Sequence, residues 1–322
     1  MSRAMQQYLF LTLMFLSSSS SEFSTFDAKY QFAEQQNATF WAGGIIAGTV
    51  KYAHGKHPEW NITNVSVELF GKVSYYDFFT KTSRRTYDFL NERLMLRSAS
   101  DSKDLLPAFR NYSWPFSFRF DKSLPPTIEK MSYTSTYVVY YINFVFERPG
   151  WYNKNIEKRF NVNIQHSTPL TNAKKVEQQK TNRNGVHIHV ILHKNIVVVG
   201  KIFSFEINLH NPKKASVYRI SAALLQIVSG GGFKEKTATL HEQNLDRYGL
   251  FRAEKLQQQF KLHVPLKSAS TWVANYTYGF PKNKPFIVRH NLQIKAYIRG
   301  FLTNIRLQLP LTIIYTNETQ TD

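Results

Sequence analysis

Apolar and polar residues alternate along most of this chain, and that period of two limits its possible folds more than any other feature. Successive side chains of a β-strand point to opposite faces, so alternation sends every second residue toward a core. In Val65-Ser-Val-Glu-Leu-Phe, the residues Val65, Val67 and Leu69 share one face. Phe116, Phe118 and Phe120 do the same, and so do alternate residues of Phe203 to Leu209, Leu292 to Ile298 and Leu307 to Ile313. Val138 to Phe146 is instead almost continuously apolar and aromatic, as expected of a strand covered on both faces. No helical period of useful length competes. The exceptions are a short helix expected near Asp88 to Leu94 and a polar stretch from Asn244 to Gln259. Turn signals separate the runs: Gly43-Gly44, His54-Gly55-Lys56, Leu124-Pro125-Pro126, Pro149-Gly150, Asn211-Pro212 and Ser229 to Gly232. Short alternating strands with frequent turns predict an all-β chain of antiparallel sandwiches or barrels.

One span breaks the pattern. Ser167 to Gly185 is polar, with almost no apolar content, and alternation resumes at Val186. It reads as a linker, 167–185, between a first domain at 26–166 and a second at 186–316, with a short tail at 317–322. At 322 residues the chain can build two cores of ordinary size.

A net charge of +19 favours anionic partners such as lipid headgroups, phosphorylated tails or nucleic acid. The sharpest basic runs are Lys81 to Arg85 and Lys154 to Arg159, so Arg84, Arg85, Lys154, Lys158 and Arg159 are the candidate anion contacts. The basic residues are otherwise spread out, which equally describes a solvated surface. The aromatic run Tyr137 to Phe146 is too dense on both faces to serve as a stacking platform for bases, so no nucleic acid is expected. There is no cysteine, which excludes disulfides and thiolate metal sites. No Gly-x-Ser-x-Gly, phosphate-loop or His-Glu-x-x-His motif is present. His187 and His189 share one strand face, a spacing some metal sites use, but no third ligand accompanies them. His54 and His57 flank a turn, and Ser229 to Gly232 lacks the lysine and helix start of a phosphate cradle. Neither a catalytic site nor a cofactor is expected.

The N-terminus opens two readings. Arg3, the apolar stretch Tyr8 to Leu16 and the serines Ser17 to Ser21 have the layout of a secretory signal, and residues 1–25 precede the first strand. Six Asn-x-Ser/Thr sequons begin at Asn37, Asn61, Asn64, Asn111, Asn275 and Asn317. Together they allow a secreted sandwich glycoprotein acting in extracellular recognition. The lack of cysteine points instead to a reducing compartment.

The order of the segments resembles the arrestin superfamily, and most closely the α-arrestins. Phe26 to Phe32 is similar to that family's first strand. Trp41 to Val50 is similar to its Tyr-x-Pro-Gly-Glu-x-Val-x-Gly-x-Val element, with Gly44 where Glu is usual. Val65 to Gly71, Phe116 to Phe120, Leu124-Pro-Pro-Thr127 and Tyr137 to Pro149 follow in family order. So do Val199 to Asn211, with Lys201 where Glu is usual, then Leu224 to Gln226, Leu262 to Pro265, Ile287 to Ile294 and Leu309 to Leu311. The resemblance spans about residues 26 to 315. It implies two immunoglobulin-like sandwiches joined by a hinge, and a cytoplasmic, non-catalytic trafficking adaptor that associates with membranes or endosomes and binds membrane-protein cytoplasmic tails. Many α-arrestins recruit ubiquitin ligases through Pro-Pro-x-Tyr motifs. The one Pro-Pro here, Pro125-Pro126, is followed by Thr127-Ile128, so recruitment by that motif is not expected.

Overall fold

The computed structural model describes residues 28–32, 39–53, 61–76, 84–98, 105–106, 111–150, 154–166, 173–230, 233–245, 253–273, 277–280, 285–301 and 303–316. Among these residues there are eighteen strands and no helix. Two compact units emerge. Residues up to Val73 form the first with Tyr87–Leu124 and Val139–Ile164. Ser74–Thr86, Pro125–Val138 and everything from Gln165 onward form the second.

The first unit is built on two sheets. One orders β1 (Ala28–Phe32), β3 (Ile45–Ala53) and β6 (Asn111–Arg119) side by side. The other runs β2 (Thr39–Trp41), β8 (Ile156–Gln165), β7 (Tyr137–Glu147), β4 (Asn64–Tyr76) and β5 (Arg84–Arg97). Alternation turns Ile46, Val50 and Tyr52 of β3 and Phe116 and Phe118 of β6 inward, where they are buried with Val65, Val67 and Leu69 of β4. Rings of the two sheets meet there: Phe116 on Phe144 at 5.5 Å, edge to face, and Tyr52 on Phe146 at 5.1 Å. Each such pair adds about 0.5–1.5 kcal/mol beyond the area it buries. β7 is central and covered on both faces, as its apolar run predicts. Gly71 of β4 leaves no room for a methyl group. A Cβ there would lie 2.8–2.9 Å from the rings of Phe89 and Tyr140.

The second unit holds a sandwich whose four-stranded sheet runs β15 (Lys255–His263), β12 (Ile202–His210), β10 (His187–Leu192) and β9 (Val176–Thr181). Its six-stranded sheet orders β11 (Ile196–Val198), β18 (Ile305–Ile314), β17 (Ile287–Ile298), β13 (Val217–Gly230) and β14 (Phe233–Asn244), with β16 (Trp272–Val273) also on β17. Ladders are antiparallel except the short β11–β18 pair. Ile188, Val190, Phe205 and Ile207 from one sheet pack with Leu224, Leu292, Ile294 and Leu309 from the other. Each contributes roughly 1.5–3 kcal/mol by leaving water.

Two sequence expectations give way. Asp88 to Leu94 is not a helix but the middle of β5. Phe89 and Leu90 are consecutive and both buried, which blurs the period of two and imitates a helical spacing. The hydrophilic span 167–185 is not all linker, because β9 occupies Val176–Thr181 and pairs with β10. It is polar because it is an edge strand: Val176 packs on the core while Glu177, Gln178, Gln179 and Lys180 are exposed. The signal-like residues 1–25, the tail 317–322, His54, His57 and the sequons at Asn37, Asn275 and Asn317 lie outside the described residues. Asn61 and Asn111 are exposed, whereas the Asn64 side chain donates to the Glu147 carboxylate at 2.7 Å.

Candidate functional site

Three turns meet at one end of the second sandwich, and asparagines hold them together. Asparagine suits such positions because its short amide can replace a backbone hydrogen-bonding group. In the β9–β10 turn, Asn182 Oδ1 accepts from the backbone N–H groups of Asn184 at 3.0 Å and Val186 at 2.9 Å. Its Nδ2 donates to the carbonyl of Thr303, 2.7 Å away in the β17–β18 turn. The backbone N–H of Arg299 in that turn donates to the Ser216 carbonyl at 2.9 Å, which brings in the β12–β13 turn. There the fully buried Asn211 exchanges two 2.8 Å hydrogen bonds with the Ala215 backbone. The Thr303 hydroxyl donates to the Ile298 carbonyl at 2.7 Å. Gly300 takes φ +128°, a conformation that side chains rarely adopt. Each bond is worth about 1 kcal/mol net, so the turns are set by the fold and not left to solvent.

The assembled tip carries Arg183, Lys213, Lys214 and Arg299, all exposed and without an ion pair among the described residues. Phe301, in the β17–β18 turn, is 85% exposed. Tyr218, also exposed, lies on Tyr297 at 6.1 Å, and the Arg219 guanidinium sits 5.2 Å over the same ring while pairing with Glu242 at 3.6 Å. An exposed aromatic ring among uncompensated cations is suited to an anionic interface. The ring can enter the headgroup layer while the cations attract the lipid charge.

The five residues singled out by charge do not form one site. Arg84 and Arg85 begin β5, whereas Lys158 and Arg159 lie on β8 and Lys154 just before it, with β7 and β4 between those strands in the sheet. Arg84 is half-buried, and its guanidinium donates to Ser74 Oγ and the Ser135 carbonyl, both at 3.2 Å, and to the Tyr133 carbonyl. It also lies 4.7 Å over the Tyr137 ring, so its work is internal. Arg85, Lys154 and Lys158 are exposed. Arg159 is exposed too, with its guanidinium 4.1 Å over the Tyr141 ring. Lys72 shares that ring at 5.7 Å and pairs with Asp88 at 3.2 Å. Hydrogen bonding to Tyr141, aided by Asp88, holds its ammonium above the usual lysine range. Nearby, the Asn64 amide and then Arg93 hold the Glu147 carboxyl below the usual carboxylate range. Around Tyr141 and Glu147, Lys72, Arg93 and Arg159 are thus already engaged.

His187 and His189 face outward from β10. His187 Nδ1 is 2.8 Å from Thr181 Oγ1, and His189 Nε2 is 3.3 Å from Glu177. Among the described residues no group of three or more His, Cys, Asp or Glu is placed to hold a metal. His290 is different, being buried on β17 between Thr271 Oγ1 (2.8 Å from Nδ1) and Gln226 Oε1 (3.4 Å from Nε2). Burial pushes its pKa down to about 3.

Sequence comparison bears on the whole two-sandwich arrangement. Residues 29–168 match the family described as arrestin (or S-antigen), N-terminal domain, and residues 182–318 match its C-terminal domain. The chain belongs to the arrestin superfamily. No curated protein matches it. Arrestin proteins are generally non-enzymatic adaptors, typically cytoplasmic, that bind membrane-protein cargo.

Charge density alone did not single out the arrestin tip, since its cations are scattered between residues 183 and 299. The usable signal was chemical. Gly300-Phe301 puts a large apolar residue in a turn where polar residues are the rule, and Asn211-Pro-Lys-Lys214 places two cations in another turn.

Proposed function

We propose that this arrestin is a non-catalytic trafficking adaptor that rests the tip of its second sandwich on an anionic membrane surface and engages cytoplasmic tails of membrane proteins. Phe301 carries the reading. A lone exposed apolar residue is ordinary on a protein surface. One held in a pinned turn beside Arg183, Lys213, Lys214 and Arg299 has the chemistry of an interfacial anchor. Family membership supports the cytoplasmic setting and the membrane-protein cargo.

The energetics favour reversible docking. Each cation near an anionic leaflet supplies about 1 kcal/mol, and the ring adds roughly 1–2 kcal/mol if it is buried. The total, about 5–6 kcal/mol, is comparable to a single acyl chain, which gives marginal binding by itself. Stable recruitment therefore needs the cargo tail as a second contact.

Co-sedimentation with phosphatidylserine-containing vesicles tests the proposal. Binding should weaken as salt rises. Replacing both Lys213→Gln and Lys214→Gln should weaken it by about 30-fold, at roughly five-fold per charge. Binding that ignores both salt and the double variant would refute membrane docking by this tip.

A further inference from the structure

The basic tip does not end at its turns. It continues onto the outer face of the four-stranded sheet as a row of side chains set by strand register. His187 on β10 is the cross-strand partner of His210 on β12, and His210 is the partner of Lys255 on β15. Their neighbours Ile188, Leu209 and Leu256 pack toward the core, so the row faces out. His187 and His210 directly flank the tip turns, and a Cβ placed on Gly185 would meet the Lys213 side chain at 3.8 Å. With His189, Asn208 and Gln257 the row lines a depression of about 510 Å³.

We infer that this row extends the membrane-docking surface and makes its grip on anionic lipid depend on pH. The inference rests on the tip reading above. Imidazole is the side chain that ordinarily gains charge between pH 8 and 5. The groups facing the two histidines leave the tip end free to become more positive. From β9 comes Thr181, which is uncharged, with Gln179 and then Glu177 further along the strand. From β12 and β15 come Asn208 and Gln257, then Glu206 and Gln259. Glu206 is already bound by Asn208 and Gln257 at 2.9 and 2.8 Å, and Glu177 by Lys175 at 2.8 Å. From the turns come Arg183, Lys213 and Lys214. One carboxylate, the exposed Glu254, adjoins Lys255 in the chain. Apart from Glu254, whose backbone carbonyl accepts from Asn211 of a tip turn, the face is graded, with Glu177 and Glu206 further along the sheet and imidazoles and cations toward the tip. Acidification adds positive charge where the membrane would lie.

The partner is an anionic lipid surface and not an acidic peptide, because the row is continuous with a tip that carries an exposed phenylalanine. The test uses the full chain with vesicles of phosphatidylcholine alone or mixed with phosphatidylserine. Co-sedimentation is read at about pH 7.5 and about pH 5.5, across the imidazole range. Two added charges at roughly five-fold each should strengthen binding to the anionic vesicles by about 25-fold on acidification, with no gain on neutral ones. The pair His187→Gln and His210→Gln should abolish that gain. His263→Gln, on the same face at the far end of β15, should keep it and so controls for general effects of surface substitution. Anionic binding that is equal at both pH values overturns the inference and leaves the tip reading standing. A gain that survives in the double variant also overturns it. A gain equally large on neutral vesicles, or one competed away by an acidic peptide alone, does so as well. No binding at either pH removes both readings.

Discussion

Acid should destabilise the second sandwich through one residue. His290 is 1% exposed, faces only uncharged partners in Gln226 and Thr271, and has its pKa lowered by burial to about 3. In the unfolded chain an imidazole titrates near its ordinary 6.5. The folded state thus binds the proton more weakly. The stability this contributes is fully present above about pH 6.5 and is lost as pH falls from there toward 3. Linkage gives about 1.4 kcal/mol per pH step in that window, so roughly 2 kcal/mol is gone by about pH 5. The full difference approaches about 5 kcal/mol at the acid end. That is a large share of an ordinary domain's stability. The check is urea unfolding near neutral pH and at about pH 5, followed by hydrogen exchange across β13 and β17, for the natural chain and for His290→Asn. The asparagine cannot titrate but keeps an acceptor for the Thr271 hydroxyl. It should cost stability at neutral pH yet show a loss on acidification smaller by about 2 kcal/mol. If both proteins lose the same amount, the reasoning fails, as it would if NMR showed the His290 ring protonating near its ordinary pKa.

Two further outcomes follow from packing and hydrogen bonding. Gly71→Ala should destabilise the first unit by about 1–3 kcal/mol in denaturant melts, because the added methyl collides with the Phe89 and Tyr140 rings. Arg84→Met should cost about 1–3 kcal/mol by leaving the Ser135 and Tyr133 carbonyls without their donor, while vesicle binding stays as it was.

The fold was legible wherever one face of a strand is core and the other is not. β12 and β18 show their alternation openly, and β7 shows the unbroken run of a doubly covered strand. β5 was misread because Phe89 and Leu90 are both buried in succession, and β9 because an edge strand needs only one apolar anchor, Val176. The burial of His290 was legible in principle. It stands in register with Val288, Leu292, Ile294, Ala296 and Ile298 on the core face of β17. The tip was not legible, because three turns far apart in sequence come together only through hydrogen bonds such as Asn182 to Thr303. Local charge runs pointed to Arg84 and Arg159, whose guanidinium groups the fold uses against Tyr137 and Tyr141.

The most direct measurement is of depth. A spin label placed at position 301 of the full chain, mixed with anionic vesicles, should become accessible to oxygen dissolved in the bilayer and shielded from an aqueous relaxant. A label at Lys194, exposed just past the end of β10 that points away from the tip, should stay in water. Equal aqueous exposure of both labels, on vesicles that demonstrably carry the protein, would contradict the proposal that this arrestin meets the membrane through the tip of its second sandwich.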